Sequence, residues 1–228
     1  MSVVSASFRS RVRAGVEPIA RVFGRVGLTP NALTVIGLLI AIVGAWLAAM
    51  QLWLVAGIVV AFGAIFDLFD GALARATGKT SKFGAFLDSS LDRAGEGVVY
   101  IGIVIAAVLD GQNVWLAPMA ISAMTAGYMV SYVRARAESL GFSPGTGMAS
   151  VGLAPREVRT AILVIGLLAA GLLQGSVIGD CPAGVPCPQT WSHVLVGALA
   201  LITVLATITT IQRILFTYRQ SKSQEVDH

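Results

Sequence analysis

Six apolar stretches, near residues 32–50, 53–75, 83–109, 114–138, 159–178 and 192–217, set the terms on which this 228-residue chain can fold. A helix needs about 20 consecutive apolar residues, at roughly 1.5 Å each, to cross the hydrocarbon core of a bilayer. Each stretch is long enough. With 56% hydrophobic and only 12% charged residues, the chain lies outside the range of soluble globular domains. The predicted fold is an all-α integral membrane protein with six transmembrane helices, and no internal repeat is evident.

The basic residues orient those spans. All 16 Lys and Arg fall in the N-terminal segment, around Arg75 to Lys82 with Arg93, at Arg134 and Arg136, at Arg156 and Arg159, and from Arg213 onward. The alternate loops, around Gln51, Asp110 to Val114 and Gly175 to Thr190, contain none. Positive charge retained on one side places both termini in the cytoplasm of a multi-pass protein of the cell (inner) membrane. Trp46, Trp53, Trp115 and Trp191 lie near the opposite ends of their spans, as an outer aromatic belt requires. The net charge of +4 is thus a topology signal and gives no support for nucleic acid binding.

Three regions follow: a cytoplasmic segment over 1–26, a transmembrane domain over 27–219 and a polar, disordered tail over 220–228. From Phe8 to Val26 basic and apolar residues alternate, which predicts an interfacial helix laying Arg9, Arg11, Arg13, Arg21 and Arg25 on anionic headgroups. The Arg- and Ser-rich, acid-poor composition also fits an organelle-targeting presequence. Thr29 and Pro30 read as the cap and first turn of the first span. Cys181 and Cys187 fall in a loop on the outer side, where a structural disulfide is chemically reasonable. His193 has no companions at metal-ligand spacing and reads as an interfacial residue.

One polar feature interrupts the apolar pattern. Asp67 and Asp70, then Asp88 and Asp92, stand at i, i+3 and i, i+4 spacings among Phe66, Leu68, Phe69, Phe86, Leu87 and Leu91. Residues so spaced share one helix face. An aspartate at a helix centre in a membrane costs roughly 2.5 to 3.5 kcal/mol, so four uncompensated ones would cost on the order of 10 kcal/mol. The cluster therefore calls for positive charge, and hard oxygen ligands suit Mg²⁺ or Mn²⁺. Gly63, Gly71, Gly84, Gly95 and Gly97 flank the acids. Such small positions admit close helix packing, or at Gly71 a ligand against the backbone. Glu96 continues the Asp88/Asp92 face, either supporting the metal site from behind or pairing with Arg93.

Written with its spacings, the stretch is D-x2-D-G-x2-A-R-x8-G-x3-D-x3-D, running from Asp67 through Gly71, Ala74, Arg75, Gly84 and Asp88 to Asp92. It resembles, position for position, the signature of the CDP-alcohol phosphotransferases. The resemblance implies that a CDP-linked lipid, usually CDP-diacylglycerol, gives its phosphatidyl group to an alcohol and releases CMP. It further implies two Mg²⁺ or Mn²⁺ ions on Asp67, Asp70, Asp88 and Asp92, with Asp92 as proton acceptor. The CDP moiety would lie against Asn31, Thr34, Gly71, Ala74, Arg75, Ser81 and Gly84. A homodimer is also implied.

The acceptor is read from other segments. S-Y-V-R-A-R-A-E (Ser131 to Glu138), A-P-R-E-V-R (Ala154 to Arg159) and Gln212-Arg213 are similar to bacterial phosphatidylinositol-phosphate synthases. In those, basic residues hold the phosphate of inositol phosphate. That role would pass to Ser131, Arg134, Arg136, Arg156, Arg159 and Arg213, gathered at the depth of the acids. The chain departs from the pattern where a Lys is expected at Arg134 and E-R-P-E-R in place of A-P-R-E-V-R, yet both changes keep positive charge. Rival readings are glycerol 3-phosphate as acceptor, an ether-lipid donor, or a cation channel with a carboxylate filter. A channel leaves Arg75 and the placement of all four acids at one membrane face unexplained.

Overall fold

The computed structural model describes residues 27–78, 80–111, 113–142, 151–178 and 190–226. The expected interfacial helix, and Cys181 and Cys187, lie outside these residues. Those described form six long helices: α1 (Pro30–Ala49), α2 (Trp53–Ala76), α3 (Lys82–Asp110), α4 (Leu116–Ser139), α5 (Arg156–Ile178) and α6 (Thr190–Val226). Five are long and apolar enough to cross a membrane. The exception, α3, has the length at 29 residues, but its polar first half carries Asp88, Asp92, Arg93 and Glu96.

Local chemistry sets the helix ends. Thr29 caps α1 by accepting a hydrogen bond from the Ala32 N–H at 3.2 Å, and Pro30 fills the first turn. Ser81 caps α3 in the same way, accepting from Gly84 N–H at 2.9 Å. Gly111 ends α3 in the left-handed region, at φ 65°. By contrast α6 does not stop where a frayed tail was expected. It runs on to Val226, because neither proline nor glycine interrupts it after Gly197.

Each helix packs chiefly on two others, and the pairs close into a ring in the order α1, α2, α5, α6, α4, α3. Where α1 meets α3, a side chain at Gly102 would collide with the Ala45 carbonyl, so this contact is backbone against backbone. Gly63 against Ile40 and Gly97 against Tyr128 are likewise packing positions. Leu39, Phe62, Ile105, Ile165 and Val204 point outward, as in a protein whose outer face meets lipid.

One half of the ring is filled. Trp53, Tyr100, Ile103, Leu116, Leu167 and Leu199 form its buried core. Trp53 and Trp191 belong to this plug, their ring centroids 5.3 Å apart, so only Trp46 and Trp115, at 59% and 63% exposure, project as belt residues. The reason is that Trp53 and Trp191 sit on ring-facing sides of their helices, where they can pair. The other half, where α1 and α5 begin and α2 ends, is lined by the acids.

Candidate active site

Asp67 and Asp70 lie in the last turns of α2, and Asp88 and Asp92 in the first turns of α3. Helix α1 packs on both and supplies Thr34. Asp70 is buried and accepts from the Thr34 hydroxyl at 3.0 Å and from the Gly71 N–H. The same hydroxyl lies 3.1 Å from the Pro30 carbonyl oxygen. Its single hydrogen can serve only one acceptor fully, and the charged one makes the stronger bond.

Asp67 and Asp92 both line a cleft whose walls include Gly37 and Leu38 of α1, Gly63 of α2 and Gly95 of α3. Arg156, the first residue of α5, bridges them: Nη2 lies 2.7 Å from Asp67 Oδ2, and Nη1 lies 2.7 Å from Asp92 Oδ1. Arg93 stands 3.7 Å from Asp92. Gly37 leaves the space into which the Asp67 carboxylate fits, since a Cβ there would lie 2.6 Å from Oδ1. Gly37→Ala is therefore expected to push Asp67 aside and reduce activity roughly 10- to 100-fold, the scale of a small misplacement at a reacting centre. A membrane assay of CMP release that finds near-wild-type rates would show that the carboxylate tolerates the shift.

The residues expected to hold the donor fall into two patches. Asn31 Oδ1 and Ser81 Oγ both border Gly84, at 3.3 and 3.0 Å from where its Cβ would be, which joins the starts of α1 and α3. On α2 the exposed Arg75 folds back over Gly71, its Nη1 3.3 Å from where a Cβ on that glycine would stand, and Ala74 is half-buried beside it. Small residues under a guanidinium leave its donor fork free for phosphate oxygens.

The basic residues expected to hold the acceptor differ in their partners. Arg156 alone joins the carboxylates. Arg159 is buried and spends both ends of its fork on Glu96, with Nε 2.9 Å from Oε1 and Nη2 2.8 Å from Oε2; Nη1 donates to the Ala154 carbonyl at 3.1 Å. Arg213 is buried too, donating to the Val130 and Val151 carbonyls at 2.7 and 3.1 Å. Arg134 pairs with Glu138 at 2.8 Å, while Arg136 is exposed and Ser131 half-buried. Glu96 thus pairs with Arg159 on another helix, and of its two readings the pairing with Arg93 gives way to this one. The overlooked signal was a matched ladder: Asp92 and Glu96 one turn apart on α3, Arg156 and Arg159 one turn apart on α5.

The donor set suits a hard divalent cation, being carboxylates alone on two helices held together by a positive charge. As arranged, no group of three acidic, histidine or cysteine side chains among the described residues stands close enough to hold one ion. Guanidinium supplies the counter-charge instead.

The CDP-alcohol phosphatidyltransferase family profile matches residues 27–212, which takes in the first five helices, the greater part of α6 and every residue that lines the cleft. The chain belongs to this family. It is therefore a phosphotransferase. The archaetidylinositol phosphate synthase of Pyrococcus horikoshii is 39% identical over 163 residues, covering 72% of this chain and 81% of that one. The phosphatidylinositol phosphate synthase of Cutibacterium acnes is 33% identical over 218 residues, covering 95% and 98%. Among solved structures, the phosphatidylinositol phosphate synthase PgsA1 of Mycobacterium tuberculosis with CDP-DAG bound superposes with a TM-score of 0.74. Its identity is 30%, covering 89% of this chain and 93% of that one. The same enzyme in complex with manganese and citrate gives a TM-score of 0.74 as well, again at 30% identity, covering 89% and 88%.

Proposed function

We propose that this family member transfers the phosphatidyl group of CDP-diacylglycerol to a hydroxyl of inositol phosphate, giving phosphatidylinositol phosphate and CMP. The observation that carries the reading is Arg156 set between Asp67 and Asp92, which puts a phosphate-binding fork beside the family's catalytic carboxylates. The synthases of Pyrococcus horikoshii and Cutibacterium acnes support it, since both names specify an inositol phosphate headgroup. They differ in the lipid, and the 39% identity to the archaeal enzyme keeps an ether-linked CDP donor as a second reading.

Asp67, Asp70, Asp88 and Asp92 would hold two divalent cations, Mg²⁺ or Mn²⁺, which when bound neutralise the pyrophosphate and the departing oxygen. Arg75, over Gly71, binds the donor's phosphate oxygens. Asn31, Thr34, Ala74, Ser81 and Gly84 shape the nucleotide's seat. Asp92 takes the proton from the acceptor hydroxyl, whose oxygen bonds to the phosphorus attached to diacylglycerol. The bond from that phosphorus to the bridging oxygen breaks, and CMP carries that oxygen away. Arg156 grips the acceptor's own phosphate, with Ser131, Arg134 and Arg136 along the approach. Arg159 and Arg213 act from behind by fixing the start of α5.

In this reading all six helices span the inner membrane, both termini and the acids are cytoplasmic, and the enzyme works as a homodimer. The donor's acyl chains then stay in the bilayer while its nucleotide reaches the cleft. Membranes containing the protein, given CDP-diacylglycerol, Mg²⁺ and a panel of radiolabelled alcohols, are expected to release CMP fastest with inositol phosphate. A greater rate with free inositol or serine would refute the assignment of Arg156, and one with glycerol 3-phosphate would change the acceptor.

A further inference from the structure

We infer that Arg156 and a divalent cation compete for the same two carboxylates, and that the arriving cation releases the arginine to the acceptor's phosphate. Arg156 is thus an exchanging positioning residue, and the metal must be bound before the acceptor is gripped. The inference rests on the reading of Asp67 and Asp92 as metal ligands.

The two arginines at the start of α5 are built differently. Arg159 is 1% exposed and every nitrogen of its fork is bonded, two to Glu96 and one to a main-chain carbonyl. Gly127 of α4 clears the space for that pair, because a Cβ there would lie 3.1 Å from Arg159 Nε and 3.3 Å from Glu96 Oε1. This is a fixed anchor. Arg156, one turn away, is 28% exposed, and its two Nη groups go to two separate carboxylates. Its contacts to Asp67 and Asp92 come from two different helices, so the guanidinium fills the place of a counter-ion between them.

A guanidinium cannot shed its charge. When a cation of charge two settles on these carboxylates, like charges at contact distance drive the side chain out. The anchor at Arg159 keeps the backbone in place, so only the side chain moves. Thr160 and Leu163 line the cleft beside it. Once free, the fork is offered to phosphate, and by reciprocity phosphate must tighten the metal as much as metal tightens phosphate.

Mn²⁺ binding to the purified full-length protein in nanodiscs, followed by electron paramagnetic resonance without donor lipid, tests this. Arg156→Gln is expected to bind Mn²⁺ about tenfold more tightly than wild type, within the usual range of coupling between sites. Arg156→Lys, which keeps the charge, should stay near wild type. Added inositol phosphate should tighten Mn²⁺ on the wild type about tenfold and leave Arg156→Gln unmoved. Equal Mn²⁺ affinity in wild type and Arg156→Gln, or weaker binding in the variant, overturns the exchange while leaving the metal site standing. Absence of Mn²⁺ binding in every form overturns the metal reading itself. Should Arg156→Gln fail to fold, a wild-type affinity indifferent to inositol phosphate still overturns the exchange.

Discussion

Asp92→Asn is expected to lower turnover by roughly 10²- to 10⁴-fold, the usual worth of a positioned general base, while CDP-diacylglycerol still binds. The side chain keeps its size and can still accept a hydrogen bond, so the cleft keeps its shape. What it loses is the capacity to take the hydroxyl proton, together with part of its attraction for positive charge. Asp92 is one of the two carboxylates on Arg156 and is only 16% exposed, so little solvent is at hand to replace it as a base. Steady-state CMP release and equilibrium donor binding, measured on the same membranes, check the two halves separately. A variant that turns over at close to the wild-type rate removes Asp92 from proton transfer. If donor binding disappears along with turnover, its main task is holding charge rather than moving a proton.

The second large effect concerns stability. Glu96→Leu strands Arg159, 1% exposed, without its carboxylate. Removing one partner of a buried pair costs about 3–5 kcal/mol, because the remaining charge is left without compensation. For a chain of this size that should lower the unfolding midpoint by about 10 °C. Adding Arg159→Leu to Glu96→Leu should recover most of the loss, since an apolar pair of similar volume substitutes for a buried ion pair at little net cost. Thermal unfolding of the wild type, Glu96→Leu, Arg159→Leu and the double variant in one detergent reads the coupling directly. Single and double variants that fall by the same amount would mean the pair acts through shape and not through charge.

Much of the site was legible because helix periodicity is a local rule. Asp67 with Asp70, and Asp88 with Asp92, needed only their spacing to be put on common faces, and the structure places them at adjoining ends of α2 and α3. The helix start at Thr29 was of the same kind, a hydroxyl three residues before the N–H it accepts from. What spacing could not give was partnership across the ring. Arg159 and Arg213 look like phosphate ligands until Glu96 and the Val130 and Val151 carbonyls are found beside them, from residues 63, 83 and 62 positions away in sequence. Trp53 and Trp191 misled for the same reason: a tryptophan at a helix end reads as a belt residue whichever way its ring turns.

The plug of Trp53, Tyr100 and Leu199 has a bearing on traffic. The plug abuts the cleft through Val60, Val99 and Leu163, which belong to both. Under the proposed function, reactants and products then share the end that carries the acids, and the lipid that is made stays in the leaflet that supplied the donor. Carrying the new headgroup to the other leaflet would be a task for separate machinery.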